Sequence, residues 1–247
     1  MTYRRRPMGS EVFLSLRAIA EGMSAMAQVE KNSLVSDESM AAAGTKKGLF
    51  VVLEGIDGSG KSSAARSIFE ILNREMPGRV VLTAEPTETW LGDCVRRANK
   101  ENLSGMAEAL LFVADRTEHS LRIDQWLKEG KIVLCDRYYA STVAYQGAAL
   151  KGSMGAKNAI EWLKAINEPI IVPPDLTLLF TIRAEMALER LKKRSGISKF
   201  ENLDYLREVD LVYRILCMED PTYFTIDASR PLDQVIQMAL AAIRAKL

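Results

Sequence analysis

The sequence predicts an α/β protein: a parallel β-sheet covered by helices on both faces. Three observations predict it. Short, mostly apolar runs recur at Leu49-Phe50-Val51-Val52-Leu53, Val80-Val81-Leu82-Thr83, Ile132-Val133-Leu134-Cys135, Leu176-Thr177-Leu178-Leu179-Phe180 and Tyr223 to Ile226. Stretches with helical spacing separate them. A glycine-rich turn joins the first run to the first helix. Continuous apolar runs, unlike alternating ones, mark strands buried on both faces, and their alternation with helices builds a parallel sheet. The helical pattern covers Lys61 to Arg74, most of Trp90 to Glu129, a further stretch to about Asn167, Met186 to Arg194, Tyr205 to Met218, and Leu232 to Ala242.

The 247 residues include 33 Lys+Arg against 32 Asp+Glu and are 48% hydrophobic, an ordinary globular composition. A net charge of +1 excludes a polyanion-binding surface, so no nucleic-acid partner is expected, but it permits a local basic site for a small anion. Cys94, Cys135 and Cys217 lie far apart, without a CxxC pair, which argues against a disulfide framework and for a reducing, cytoplasmic setting. No apolar run approaches the roughly 18 residues of a membrane span. Residues 1–47 differ from the rest. Tyr3-Arg4-Arg5-Arg6 is basic, Val12 to Val29 has a helical pattern, and Ser36 to Gly44 is small and polar. This segment reads as an N-terminal extension, disordered or partly helical, ahead of a domain spanning 48–247. It fits neither a signal peptide nor a transit peptide; methionines at 8, 23, 26 and 40 leave a downstream start open.

Gly55-Ile56-Asp57-Gly58-Ser59-Gly60-Lys61-Ser62 matches G-x-x-x-x-G-K-[ST], with a strand before it and a helix after it. The glycines let backbone N–H groups turn inward toward phosphate oxygens, and the helix start adds its positive dipole end. Lys61 supplies a charge for the β- and γ-phosphates, and Ser62 a hydroxyl for Mg²⁺. The loop specifies a nucleoside triphosphate with Mg²⁺ and leaves the reaction open. Asp136 ends the third strand, where a parallel sheet places ligand-facing residues, and suits the second acidic position toward Mg²⁺. Arg137 beside it offers a fork for a phosphate. The chain lacks a guanine-reading Asn-Lys-x-Asp; Asn99-Lys100-Glu101-Asn102 comes closest. A compact kinase acting on a small acceptor remains. Such an enzyme needs a mobile basic cover that excludes water. The run Arg190-Leu191-Lys192-Lys193-Arg194-Ser195-Gly196-Ile197-Ser198-Lys199 suits that role, giving a short lid at about 190–202.

Residues 49–247 resemble the thymidylate kinases, the dTMP kinases among the phosphate-loop nucleoside monophosphate kinases. The resemblance rests on Leu53-Glu54-Gly55 through Ser62-Ser63, Thr83-Ala84-Glu85-Pro86-Thr87, Leu110-Leu111-Phe112-Val113-Ala114-Asp115-Arg116, Asp136-Arg137-Tyr138-Tyr139-Ala140-Ser141 and Pro174-Asp175-Leu176-Thr177, in the family's order and at about its spacing. It implies a three-layer fold with a parallel five-stranded sheet, ATP as phosphoryl donor, Mg²⁺, dTMP as acceptor and a homodimer.

The resemblance also implies roles. Phe112 stacks on thymine and Arg116 hydrogen-bonds the base; their i, i+4 spacing puts both on one helix face. Taken alone, Phe112 reads as core and Arg116 as an ion-pair partner. Ser141 belongs to the acceptor motif, and Thr142 sits where the family has a polar group near the base. Arg137 and Arg96 clamp the acceptor phosphate, Tyr145 crowds the ribose 2′ side, Asp57 lies near the sugar 3′-OH and the transferred phosphate, and Glu85 lines the same pocket. Two departures shift weight. The loop after the second strand lacks the family's arginine and glycines, which favours Arg96 and Arg137. Gly58 stands where one branch has an arginine, so Arg190 and Arg194 of the lid are the catalytic candidates. His119, the only histidine, reads as structural, since phosphoryl transfer needs positioning and charge more than a base. Two alternatives stay open: a related kinase for dUMP or a deoxynucleoside, and an ATP-binding regulatory module.

Overall fold

A computed structural model describes residues 47–101, 103–193 and 202–247. The first 46 residues, and with them nearly all of the expected extension, lie outside the described residues, as does 194–201 of the lid.

Five strands form one sheet: β1 Leu49–Glu54, β2 Val80–Ala84, β3 Ile132–Asp136, β4 Leu176–Thr181 and β5 Tyr223–Asp227. Their order is β2-β3-β1-β4-β5 and every pairing is parallel. All five runs expected from the sequence form strands, and β1 occupies the centre. It is buried along its whole length, which is why it carries no alternation. Successive residues still face opposite ways. Leu49, Val51 and Leu53 enter the main core, while Phe50 and Val52 join a second cluster with Ile123, Val133, Cys135 and Tyr138.

The helices are α1 Lys61–Glu75, α2 Trp90–Glu101, α3 Gly105–Lys128, α4 Tyr139–Met154, α5 Ala156–Asn167, α6 Ala184–Lys192, α7 Leu203–Glu219 and α8 Leu232–Arg244. Two long helical patterns prove to be pairs. Ser104 starts α3 anew, its Oγ accepting the Ala107 N–H at 3.3 Å. Gly155, at φ +82°, separates α4 from α5.

The order of the sheet fixes the site. The chain leaves β1 toward β2 and leaves β3 toward β4, so the loops after β1 and β3 diverge from neighbouring strands. A crevice opens at such a switch point, outside the carboxyl ends of the strands. Leu53 and Asp136 are register partners there, which brings the glycine-rich loop beside Arg137.

Candidate active site

The loop between β1 and α1 is shaped by glycines at positive φ: Gly55 at +145°, Gly58 at +82° and Gly60 at +87°. Gly58 has a second constraint. A Cβ there would stand 2.3 Å from the Ala187 carbonyl oxygen on α6. The loop is thus pressed against the root of the lid, with no room for an arginine at 58. The lid root instead supplies its own cation, as Arg190 Nη1 reaches the Gly58 carbonyl at 3.5 Å. Arg194 lies outside the described residues.

Lys61 opens α1 and is buried. Burial, seconded by the charge of Arg137, lowers its ammonium pKa to about 8. Asp57 Oδ1 is 3.9 Å away. Burial alone would raise the Asp57 carboxyl, but Arg137, Lys61 and the Tyr145 hydroxyl outweigh it and hold the group at about 2. Both residues are therefore charged at neutral pH, before any phosphate arrives.

Arg137 is the hub of the acceptor side. It adopts φ +72°, the only positive φ outside glycine among the described residues. Its N–H donates to the Leu53 carbonyl at 3.0 Å. Its guanidinium donates to Asp57 Oδ1 at 2.5 Å, Ser141 Oγ at 3.0 Å and Tyr145 Oη at 3.2 Å, and lies 4.8 Å over the Tyr145 ring. The Tyr145 hydroxyl accepts the Asp57 N–H at 2.9 Å and donates to Asp57 Oδ2 at 3.0 Å. Glu54, at the end of β1, fixes the helix carrying these groups. Its buried carboxylate accepts from the N–H groups of Tyr138 and Ser141 and from the hydroxyls of Ser141 and Tyr213. Burial pushes its pKa up despite these donors.

A cavity of about 140 Å³ is lined by Asp57, Glu85, Pro86, Asn99, Phe112, Arg116, Arg137, Tyr138, Ser141, Tyr145 and Gln146. Seven expected site residues are thus brought together: Asp57, Glu85, Phe112, Arg116, Arg137, Ser141 and Tyr145. Arg116 is wholly buried and tied on three sides. It donates to Asn167 Oδ1 at 2.6 Å, Glu85 Oε2 at 2.6 Å and Thr142 Oγ1 at 2.9 Å, while its Nε has no partner. Thr142 touches the cavity only through Arg116. Arg96 sits apart from the cavity wall. Its guanidinium donates to the carbonyls of Pro86 and Thr87 and to Asp93, so it braces the loop after β2. Asp115 braces the same loop from α3 by accepting the Thr87 N–H at 2.8 Å and hydroxyl at 2.5 Å.

Glu54, Tyr213, Asp115, Asn167, Asn99 and Gln146 had no assigned role in the sequence. Glu54 and Asp115 could have been found there, since each sits inside a motif next to a named residue. The others carry no local signal.

The donor side fits a metal-bound nucleotide. Asp136 Oδ1 is buried and has no hydrogen-bond partner, an arrangement that is costly without a cation or its water. Ser62 exposes its side chain on the first turn of α1. Two such oxygens suit Mg²⁺, which keeps waters and takes its other ligands from substrate phosphates.

A glycine-rich loop at the carboxyl end of a central parallel strand, with a second basic pocket beside it, defines a phosphate-loop protein built for two ligands. The model for thymidylate kinase matches residues 53–239. The chain is 43% identical over 188 residues to a probable thymidylate kinase of Methanosarcina barkeri, covering 74% of this chain and 90% of the relative. It is 41% identical over 200 residues to one of Methanococcoides burtonii, covering 80% and 96%. The crystal structure of thymidylate kinase from Ehrlichia chaffeensis superposes with a TM-score of 0.65 at 25% identity, over 80% of this chain and 99% of that one. The chain belongs to the thymidylate kinase family.

Proposed function

We propose that the protein phosphorylates dTMP to dTDP at the expense of ATP. The observation that carries this reading is the single cavity in which Phe112 and Arg116, suited to a flat base with carbonyl edges, stand beside Arg137 and Asp57 at the edge of the phosphate loop.

Loop amides from Gly55 to Ser63 and the Lys61 ammonium hold the donor triphosphate. Ser62 and Asp136 would hold Mg²⁺, which when bound neutralises phosphate charge. An oxygen of the dTMP 5′-phosphate attacks the γ-phosphorus as the bond to the β-bridging oxygen breaks, releasing ADP. The nucleophile is already anionic, so no strong base is needed. Arg137 orients the acceptor phosphate, and Asp57 and Tyr145 hold Arg137 in place. Arg190, with Arg194 as a second lid cation, would neutralise the charge that develops between donor and acceptor, and Arg96 acts through the loop after β2. Phe112 stacks on the base, with Arg116, Glu85, Ser141 and Thr142 completing its polar frame.

A homodimer in the cytoplasm completes the proposal. Met106, Leu110 and Leu121 lie on one face of α3 and are 44%, 50% and 65% exposed, a stripe a second copy would cover. The three cysteines are free, and among the described residues no helix is long and apolar enough to cross a membrane. Light scattering tests the dimer. A coupled ADP-release assay with ATP, Mg²⁺ and a panel of dTMP, dUMP and thymidine tests the function. Release dependent on dTMP is expected; release with dUMP or thymidine alone would overturn the reading.

A further inference from the structure

A buried chain of polar groups runs behind the base pocket. Glu85 is 4% exposed and uses both carboxylate oxygens. Oε2 accepts from Arg116 at 2.6 Å, and Oε1 meets His119 Nδ1 at 3.0 Å. His119 is itself 3% exposed, and its Nε2 lies 2.7 Å from the Thr83 hydroxyl on β2. A carboxylate paired with an arginine can only accept, so Nδ1 carries the proton; in the neutral ring Nε2 then accepts from Thr83. The ring also meets Trp126 edge to face, with centroids 6.5 Å apart.

The effect of this chain falls on Arg116. Two of its three guanidinium nitrogens are engaged, Nη1 by Asn167 and Nη2 by Glu85 and Thr142. Nε is the one guanidinium nitrogen with no partner, on a residue lining the cavity. Where that donor points depends on where Glu85 holds Nη2, and Glu85 has no other described side chain on Oε1 than His119. Remove the imidazole and a buried carboxylate oxygen loses its donor. Glu85 then swings to recover one, and Arg116 follows it.

We infer that His119 is a positioning residue for acceptor recognition: through Glu85 it sets the direction in which Arg116 presents its free N–H to the pyrimidine base. The inference rests on the dTMP reading above. It gives a specific purpose to a histidine that sequence alone marks as structural. It also separates His119 from the donor side, since the chain Thr83–His119–Glu85–Arg116 contains no residue of the phosphate loop.

The experiment compares wild type, His119→Ala, His119→Asn and Thr83→Val by steady-state kinetics with each substrate varied, alongside melting temperature. The Asn side chain can place an N–H close to where Nδ1 stands. His119→Ala is expected to raise KM for dTMP about tenfold, as for loss of one buried donor to a charged group. KM for ATP should stay within about twofold, as expected when the lost interaction is confined to the acceptor side. His119→Asn should recover most of the dTMP KM, and Thr83→Val should raise it by a smaller factor than His119→Ala. Equal rises in both KM values, no rise for dTMP, or an Asn variant no better than Ala would each overturn the inference, whatever happens to the melting temperature. A wild-type protein that turns over no dTMP would overturn the reading beneath it instead.

Discussion

The donor and acceptor halves of the site are built on different plans. The donor half centres on one continuous segment, Gly55 to Ser63, whose shape comes from three glycines, with Asp136 on the neighbouring strand and Arg190 at the lid root beside it. The acceptor half draws on β1, the loop after β2, and α3, α4, α5 and α7, and works through side chains that hold one another. Glu54 and Tyr213, which share a hydrogen bond, are 159 positions apart. A contiguous segment tolerates change anywhere except within itself. A dispersed network can be disturbed from any of its anchors.

The sharpest way to probe the donor half is Lys61→Met, which keeps the stem and removes the charge. Turnover should fall by about 10³-fold or more, the scale for removing a preorganised charge at the transferred group, while the melting temperature holds or rises. Single-turnover phosphoryl transfer reads the first and calorimetry the second. Relief from burying an ammonium is the reason for the second.

Arg137→Ala tests the acceptor half at its hub. It removes the partner of Asp57, Ser141 and the Tyr145 hydroxyl at once. A drop of about 10²-fold in kcat/KM for dTMP is expected, the scale for truncating one partner of a buried charge pair. Wild-type kcat and KM for dTMP in this variant would erase the distinction between the halves.

Glu54→Gln reaches the network from its far end. Loss of one acceptor among buried donors should lower stability by about 1–3 kcal/mol. Its pH dependence is distinctive. Glu54 is raised above the usual carboxylate range in the folded protein. Between the ordinary and the raised pKa the folded state keeps a proton that the unfolded chain has released. This group's contribution to stability therefore falls as pH rises through that window. The Gln variant should lack that fall in denaturation measured across pH.

The smallest effect belongs to Lys61 in the unmodified protein. With its pKa near 8, about half the side chains are neutral at pH 8, and bound triphosphate would restore the charge. Titration calorimetry in buffers of different ionisation enthalpy should show uptake of up to about half a proton per nucleotide at pH 8 and far less at pH 7.

The same contrast explains what could be read from the sequence. The inner strands β1, β3 and β4 were legible because a doubly covered strand must be apolar throughout, the edge strands β2 and β5 because short β-rich runs between helices stood out even where only part of each is buried, and the phosphate loop because its chemistry sits in eight adjacent residues. The break at Ser104 was not, since helical spacing runs on either side of a short connection. Phe112 and Arg116 were recognisable only through the resemblance carried by Leu110-Leu111-Phe112-Val113-Ala114-Asp115-Arg116, since taken alone they read as core and as an ion-pair partner. Asn167 and Tyr213 were not, because a lone polar residue on an apolar helix face says nothing of the partner it meets across the fold. Arg96 has a type that suits a phosphate, and in the structure the local carbonyls of Pro86 and Thr87 and the carboxylate of Asp93 engage its fork, partners that no motif in the sequence announces.

The backbone of Arg137 has a practical consequence for anyone evolving this protein. A side chain held at φ +72° costs roughly 1 kcal/mol that glycine would not incur. That relief is smaller than the cost of leaving Asp57, Ser141 and the Tyr145 hydroxyl without the guanidinium, so Arg137→Gly should still lower stability. Among truncations here glycine should be the least costly, so a screen for heat tolerance alone would rank it above alanine although both discard the guanidinium.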